Sequence, residues 1–539
     1  MSGGAARRGA AAVRGRGSAR DRILLSFDGF ELSAAEAEAL ARRAAGMTLY
    51  RFLNVRSAGQ VRQLTGTLQA AAARLMLPRL VIAADHETGQ LHALGDDATP
   101  FPGAMAVGAT GDAALAERVG VAIGMEMRAM GANLAYVPVC DLATNPRNLV
   151  VGIRSFGDDP AAVGTLASAT VRGLQSTGVA ATLKHLPGHG DPSGDTHHEL
   201  PVLDRSAAEL RDRELVPFRE GIAAGARVVM TGHLAVPSLT SRSDLPATLS
   251  RAVVHRLLRT ELGFDGLAVS DALDMGALTQ GPEQGIDVVA ALRAGTDLLL
   301  CGPDPDAQDR VERALHHALE RELLDPRELQ ASARRLDALR SWLDGFAAAT
   351  PPIDAVGSAE HRALAAELAV RSITLVRDDE GRLPVRLSAG ARVLVIEPRP
   401  RDLTPADTTS SLPPGGVAAA IRARHPAAEG HLIEPDVAPG EIAAFCELAA
   451  GADLVILGTV DALGQPSIAE LAGALVATDT PVIAVALRGP WDAVAYPEVG
   501  TVLATYGIQP PSLAALAGAL WGDAPIMGRL PVRLPDAVR

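Results

Sequence analysis

Lysine is almost missing from this chain: of its 50 basic residues, only Lys184 is not an arginine. A compact ammonium with three rotatable donors fits where a planar guanidinium does not, so one lysine in an otherwise arginine-only chain points to a place that rejects arginine. Cysteine is nearly as scarce. Cys140, Cys301 and Cys446 lie far apart with no CxxC spacing, which excludes a disulfide framework and a zinc knuckle. A basic surface is lacking too, because a net charge of −13 argues against binding nucleic acid. No uninterrupted apolar run reaches about 18 residues, so no membrane span is expected. Arg7-Arg8 resembles the start of a twin-arginine signal, but Arg14 and Arg16 break the stretch before an apolar core can form. Residues 1–22 therefore read as a disordered basic tail, and a cytoplasmic location is expected.

What is present is length and alternation. A chain of 539 residues, 48% of them hydrophobic, is long enough for two or three domains with cores of their own. Short apolar runs at 23–27, 48–53, 80–84, 134–139, 179–183, 228–231, 267–270 and 297–300 alternate with Ala/Leu/Arg/Glu-rich helical stretches. Such alternation predicts a parallel sheet, and eight units suit a (β/α)8 barrel over 23–346, with an open doubly wound sheet as the alternative. Residues 347–355, with Thr350-Pro351-Pro352, read as a linker. Residues 356–539 then repeat the alternation, with strand-like runs at 372–376, 392–396, 453–457, 481–486 and 501–504, and predict a smaller α/β sandwich domain. That second domain holds no Gly-rich phosphate loop and is assigned no chemistry.

Barrel active sites gather at the C-terminal ends of the strands. Here those ends carry Asp85 and His86, Asp141, Lys184 and His185, His233, and Asp271. The segment 184–201 is the densest, with four of the chain's 13 histidines in a Gly- and Pro-rich loop. Asp195 and His197 stand two apart, so in a tight turn the carboxylate can hold the imidazole in one tautomer and make it a general acid–base group. Asp271, across the barrel mouth, is placed to serve as an ionised nucleophile. A nucleophilic carboxylate and a separate proton donor are the two parts of a retaining glycosidase. The competing reading is a divalent-metal site built from His185, His189, His197, His198, Asp191 and Asp195, although the spacing matches no H-E-x-x-H signature. For His189 and Asp191, bracing of the long loop is the preferred role.

The motif Lys-His-Leu-Pro-Gly-His-Gly-Asp at 184–191, followed by Asp195-Thr196-His197 and Leu200-Pro201, resembles the signature loop of glycoside hydrolase family 3 β-N-acetylglucosaminidases, the NagZ-like branch. Asp85-His86-Glu87-Thr88-Gly89, Arg154-Ser155-Phe156-Gly157 and Ser270-Asp271-Ala272-Leu273-Asp274-Met275 agree with it in order, and Gly528-Arg529-Leu530-Pro531 resembles the close of the two-domain members. The resemblance implies Asp271 as nucleophile, His197 as acid/base assisted by Asp195, and Asp85, Arg154, Lys184, His185 and Met275 around the terminal sugar. It implies an exo-acting retaining β-N-acetylhexosaminidase that needs neither metal nor cofactor. Its partner would be a small carbohydrate, a terminal N-acetylglucosaminide from cell-wall fragments. A β-glycoside phosphorylase, a β-glucosidase and an inactive sugar-binding homologue are the alternatives. One block departs from the family: Thr88 stands where a glycine is usual, and Gln90-Leu91-His92-Ala93 replaces an arginine-rich continuation. Neighbours Lys184 and His185 would point oppositely in a regular strand, so both reach one sugar only if the chain bends there.

Overall fold

A computed structural model of the chain describes residues 18–535. Eight parallel strands close into a barrel: β1 Ile23–Leu25, β2 Gly46–Leu49, β3 Val81–Ala84, β4 Leu134–Ala135, β5 Ala180–Leu186, β6 Val228–Thr231, β7 Leu267–Ala272 and β8 Leu298–Leu300, with β8 back beside β1. The period of two along each strand divides two apolar layers. Leu24, Val81, Ala83, Val228, Met230, Leu267, Val269, Leu298 and Leu300 fill the interior. Ile23, Leu25, Ile82, Val229, Ala268 and Leu299 face the surrounding helices. The helix Pro326–Asp344 adds Leu336, Leu339 and Leu343 to the interior cluster. Burying each of those leucines stabilises by roughly 1.5–3 kcal/mol relative to exposure.

The second domain holds a sheet of β9 Thr374–Asp378, β10 Val393–Pro398, β11 Glu429–Ile433, β12 Leu454–Thr459, β13 Val482–Ala486 and β14 Thr501–Ala504. Its spatial order is β9-β14-β13-β12-β10-β11, parallel except for the pairing of β9 with β14. Separate apolar clusters cover its two faces. Among the described residues, no helix is long and apolar enough to cross a membrane.

Several expected bounds move. The tail expectation covers 1–22; residues 1–17 lie outside the described ones, but Ala19–Arg22 form a 3-10 turn in which Arg22 is 2% exposed and donates to Leu329 O at 2.7 Å. The run at 48–53 stops early because Arg51–Asn54 turns into a short helix, and the run at 134–139 keeps only two strand residues before a loop. β11 was not anticipated: Glu429-Gly430-His431-Leu432-Ile433 is an edge strand with mostly exposed or half-buried side chains, so it lacks an apolar signature.

Candidate active site

The strand ends converge on one pocket at the C-terminal face of the barrel. Asp85, Arg154, Lys184, His185, His197, Asp271 and Met275 all line it, together with Asp274 and residues 405–408 of the second domain. Asp85 follows β3, Lys184 and His185 lie within β5, and Asp271 within β7. The bend expected at Lys184 and His185 is present: the pairing of β5 with β6 shifts register between Leu183 and Leu186, and both side chains line the pocket.

The pocket floor is a closed set of charges. Lys184 Nζ donates to Asp85 Oδ1 at 2.7 Å and lies 2.5 Å from Glu87 Oε1. Arg154 holds Glu87 bidentately, Nε to Oε2 and Nη2 to Oε1, both at 2.7 Å, while Nη1 donates to Val150 O at 2.8 Å. Burial alone would raise the Glu87 carboxyl, but Arg154 and Lys184 hold it down at about 2. Burial likewise opposes the Lys184 charge, and Asp85 and Glu87 more than offset it. The expectation that Arg154 grips a sugar therefore meets a guanidinium whose fork is occupied by Glu87, which fixes its plane at the pocket wall. Glu87 was not singled out from sequence; its position two residues beyond Asp85, inside the Asp85-His86-Glu87 block, was the available signal.

Two histidine–aspartate pairs stand over this floor. His185 Nδ1 lies 2.7 Å from Asp141 Oδ2, and Asp141 Oδ1 also accepts from His185 N at 3.1 Å and His189 N at 2.7 Å. Burial would raise the Asp141 carboxyl, and the His185 imidazole and these bonds keep it below the usual range. Asp141 itself does not line the pocket; it fixes the start of the loop. Asn148 Nδ2 reaches His189 O at 2.7 Å and Pro192 O at 2.8 Å, and Arg205 Nη2 reaches Asp191 Oδ1 at 2.5 Å. His189 and Asp191 are thus bound into the loop bracing, although the His189 ring also touches the pocket, where burial and His185 lower it to about 4.

The second pair is His197 Nδ1 and Asp195 Oδ1 at 2.6 Å, tightened by His197 N donating to the same oxygen at 2.9 Å. Burial would raise Asp195, and the bonds from His197 hold it below the usual range. The loop is tied to the segment after β7: Gly276 N donates to His197 O at 3.0 Å and Ala277 N to Thr196 O at 3.1 Å. A Cβ at Gly276 would sit 2.7 Å from His197 O, so only glycine admits this approach.

Asp271 completes the site. Burial pushes its carboxyl up, but the His185 and His233 imidazoles, the Ala272 N–H at 2.8 Å and the nearby His197 keep it below the usual range. It is a poised anion. Asp274 beside it goes the other way, raised by burial and by Asp271. His86 and His233 do not line the pocket: His86 packs on His92 at 4.8 Å, and His233 bridges Thr248 Oγ1 at 2.9 Å and Ala272 O at 3.0 Å. Among the described residues, no group of three or more His, Cys, Asp or Glu is arranged to hold a metal ion.

The second domain, assigned no chemistry from sequence, supplies part of the wall. The departing block is its docking surface: Gln90 O accepts from Thr408 N at 2.8 Å and Thr408 Oγ1 at 2.9 Å, His92 N donates to Thr408 Oγ1 at 3.0 Å, and Gln509 Nε2 reaches Gly89 O at 2.6 Å. Thr88 takes a positive φ of 68° in this turn, a conformation unusual for a β-branched residue. Arg488 Nη1 binds Asp407 Oδ2 at 2.7 Å and Nη2 binds Gln90 Oε1. Arg488 thus joins this block to the second domain without itself lining the pocket.

The chain is similar to known proteins. Residues 22–339 match the family model described as the glycosyl hydrolase family 3 N-terminal domain. A solved glycoside hydrolase family 3 β-N-acetylglucosaminidase from Paenibacillus sp. str. FPU-7 superposes with a TM-score of 0.90 at 34% identity, covering 97% of this chain and 99% of that one. The β-N-acetylglucosaminidase/β-glucosidase of Cellulomonas fimi is 31% identical over 487 residues, 84% of this chain and 83% of the relative. β-Hexosaminidase A of Pseudoalteromonas piscicida is 34% identical over 370 residues, which span 64% of this chain and 61% of that protein's length. The chain belongs to glycoside hydrolase family 3.

Proposed function

We propose that the protein is an exo-acting, retaining β-N-acetylhexosaminidase that removes terminal β-linked N-acetylglucosamine. The observation that carries this reading is that Asp271 and His197, the latter held by Asp195, line one pocket above the Asp85–Lys184–Glu87–Arg154 floor. The name borne by the Paenibacillus relative supports the sugar, that of the Pseudoalteromonas relative supports a hexosamine, and that of the Cellulomonas relative covers both the N-acetylglucosaminide and the glucoside.

In the first step the Asp271 carboxylate forms a bond to the anomeric carbon as the glycosidic bond breaks, and protonated His197 passes its proton to the departing oxygen. In the second, neutral His197 takes a proton from water, whose oxygen attacks the same carbon and releases Asp271. Asp195 fixes the His197 tautomer throughout. Floor and wall orient the sugar, Met275 packs beside it, and no step calls for a metal or cofactor. A cytoplasmic site of action and a cell-wall source are the expected setting, and the source turns on leaving-group chemistry.

The test is a panel of aryl β-glycosides differing only at the 2-position. The N-acetylglucosaminide should be turned over best, free sugar rather than sugar 1-phosphate should appear in phosphate buffer, and Asp271→Ala should lower kcat/KM by roughly 10⁴-fold or more while the protein stays folded. Near wild-type activity in that variant would refute the assignment. Preference for the glucoside would refute the sugar alone.

A further inference from the structure

The pocket changes character from floor to mouth. Its floor is charged and hydrogen-bonded, but its mouth is apolar: Phe52 lines it at 57% exposure, the one aromatic among the exposed large hydrophobics of the described residues. Half-buried Leu53 and Pro303 continue this surface, and exposed Pro405 with half-buried Ala406 add to it from the second domain. The mouth's cation is already engaged, since Arg51 Nη2 donates to Asp96 Oδ1 at 2.8 Å and its Cζ lies 5.8 Å from the Phe52 ring centroid. Deeper in, Arg154 and Lys184 are matched by Glu87 and Asp85, while Asp271 and Asp274 add carboxyls. An anionic leaving group would find no unmatched cation among these residues. It would also face the field of the carboxylates.

We infer that this mouth is the leaving-group site and that it takes an uncharged sugar ring, its apolar C–H face laid against Phe52. The inference rests on the proposed glycosidase reading and deepens it. In an exo-acting pocket the terminal sugar occupies the charged floor, so the departing ring must lie at the mouth. A pyranose presents an axial C–H face with partial positive charge, and the negative face of a phenyl ring is complementary to it. Holding that ring still while the bond breaks is positioning that lowers the barrier only for substrates that have a second ring. A muramyl leaving group, with its lactyl carboxylate, is disfavoured, which narrows the expected cell-wall source toward neutral oligosaccharides.

The test compares wild type with Phe52→Ala and Phe52→Trp on two substrates sharing the N-acetylglucosaminyl group. One has N-acetylglucosamine as leaving group and the other methanol. Phe52→Ala should lower kcat/KM on the disaccharide about tenfold and on the methyl glycoside less than twofold. It should leave inhibition by free N-acetylglucosamine unchanged, and Phe52→Trp should keep the disaccharide activity. Equal losses on both substrates, or no loss on either, would overturn the inference. A wild-type preference for a disaccharide with N-acetylmuramic acid as leaving ring would overturn its charge selectivity. Failure of wild type on every N-acetylglucosaminide would instead sink the glycosidase reading beneath it, a result distinct from any of these.

Discussion

Two histidine–aspartate pairs of almost equal length, 2.7 Å for His185–Asp141 and 2.6 Å for His197–Asp195, stand over the same pocket. They differ in surroundings. The first is sealed, its side chains 7% and 0% exposed, with Asp141 also tying two backbone N–H groups; the second is open, at 26% and 19%, on a loop secured by a few backbone bonds. A sealed pair cannot readily exchange protons with a departing group and water, and losing it strands buried polar atoms. An open pair can do the exchange and costs little fold when lost. The distance does not assign the role; burial and what else the carboxylate holds do.

The comparison is open to attack by mutation. His197→Ala should have the largest effect, lowering kcat/KM on an alkyl N-acetylglucosaminide by roughly 10²–10⁴-fold with little change in thermal midpoint, because besides the proton donor it removes only the partly exposed bond to Asp195. An equal effect on an aryl glycoside with a very acidic leaving group would break the assignment, since such a group leaves without help. Asp141→Asn should destabilise by about 2–4 kcal/mol in a denaturant titration, as the bonds to His185 and His189 are disrupted. Asp195→Asn should shift stability by under about 1 kcal/mol yet cost roughly 10²-fold in kcat. If these two exchanged behaviours, the division of labour would be wrong.

The floor gives a pH signature with a definite sign. Glu87, held at about 2 by Arg154 and Lys184, contributes stability that is present above the ordinary carboxylate range and is lost as pH falls toward 2. The difference is on the order of 3 kcal/mol for one such group. Unfolding free energies measured from pH 6 down to pH 2 should therefore fall more steeply in wild type than in Glu87→Gln, whose curve should start lower and run flatter. The smallest effect belongs to the wall. Arg488→Met should loosen residues 405–408 and raise KM a few-fold with kcat nearly unchanged, whereas Arg118→Ala, which breaks the interdomain pair with Glu367 at 2.9 Å, should leave KM alone.

Most of the barrel was legible because a parallel strand buried on both sides announces itself as a short apolar run, and each of the eight expected runs overlaps a strand. Most ionisable residues of the candidate pocket could be named from sequence because polar groups sit at strand ends, and because Lys184 stands out in an arginine-only chain. What was not legible depends on contacts across the sequence. Glu87 looks like any acidic residue until Arg154 and Lys184 fold around it. Gln90 and His92 read as a gap in the family pattern until Thr408 and Arg488 arrive from more than 300 positions away. β11 escaped because an edge strand exposes too much to need an apolar signature.

The central claim is that Asp271 carries the sugar while His197 moves the proton. It is tested most directly by mass spectrometry of the His197→Ala protein during turnover of an aryl N-acetylglucosaminide with an acidic leaving group. That variant can still form the glycosyl-enzyme but lacks the base that clears it. The account predicts a protein heavier by one N-acetylglucosaminyl group, with the label on the peptide that contains Asp271. Turnover with no such species, or a label on any other residue, would contradict it.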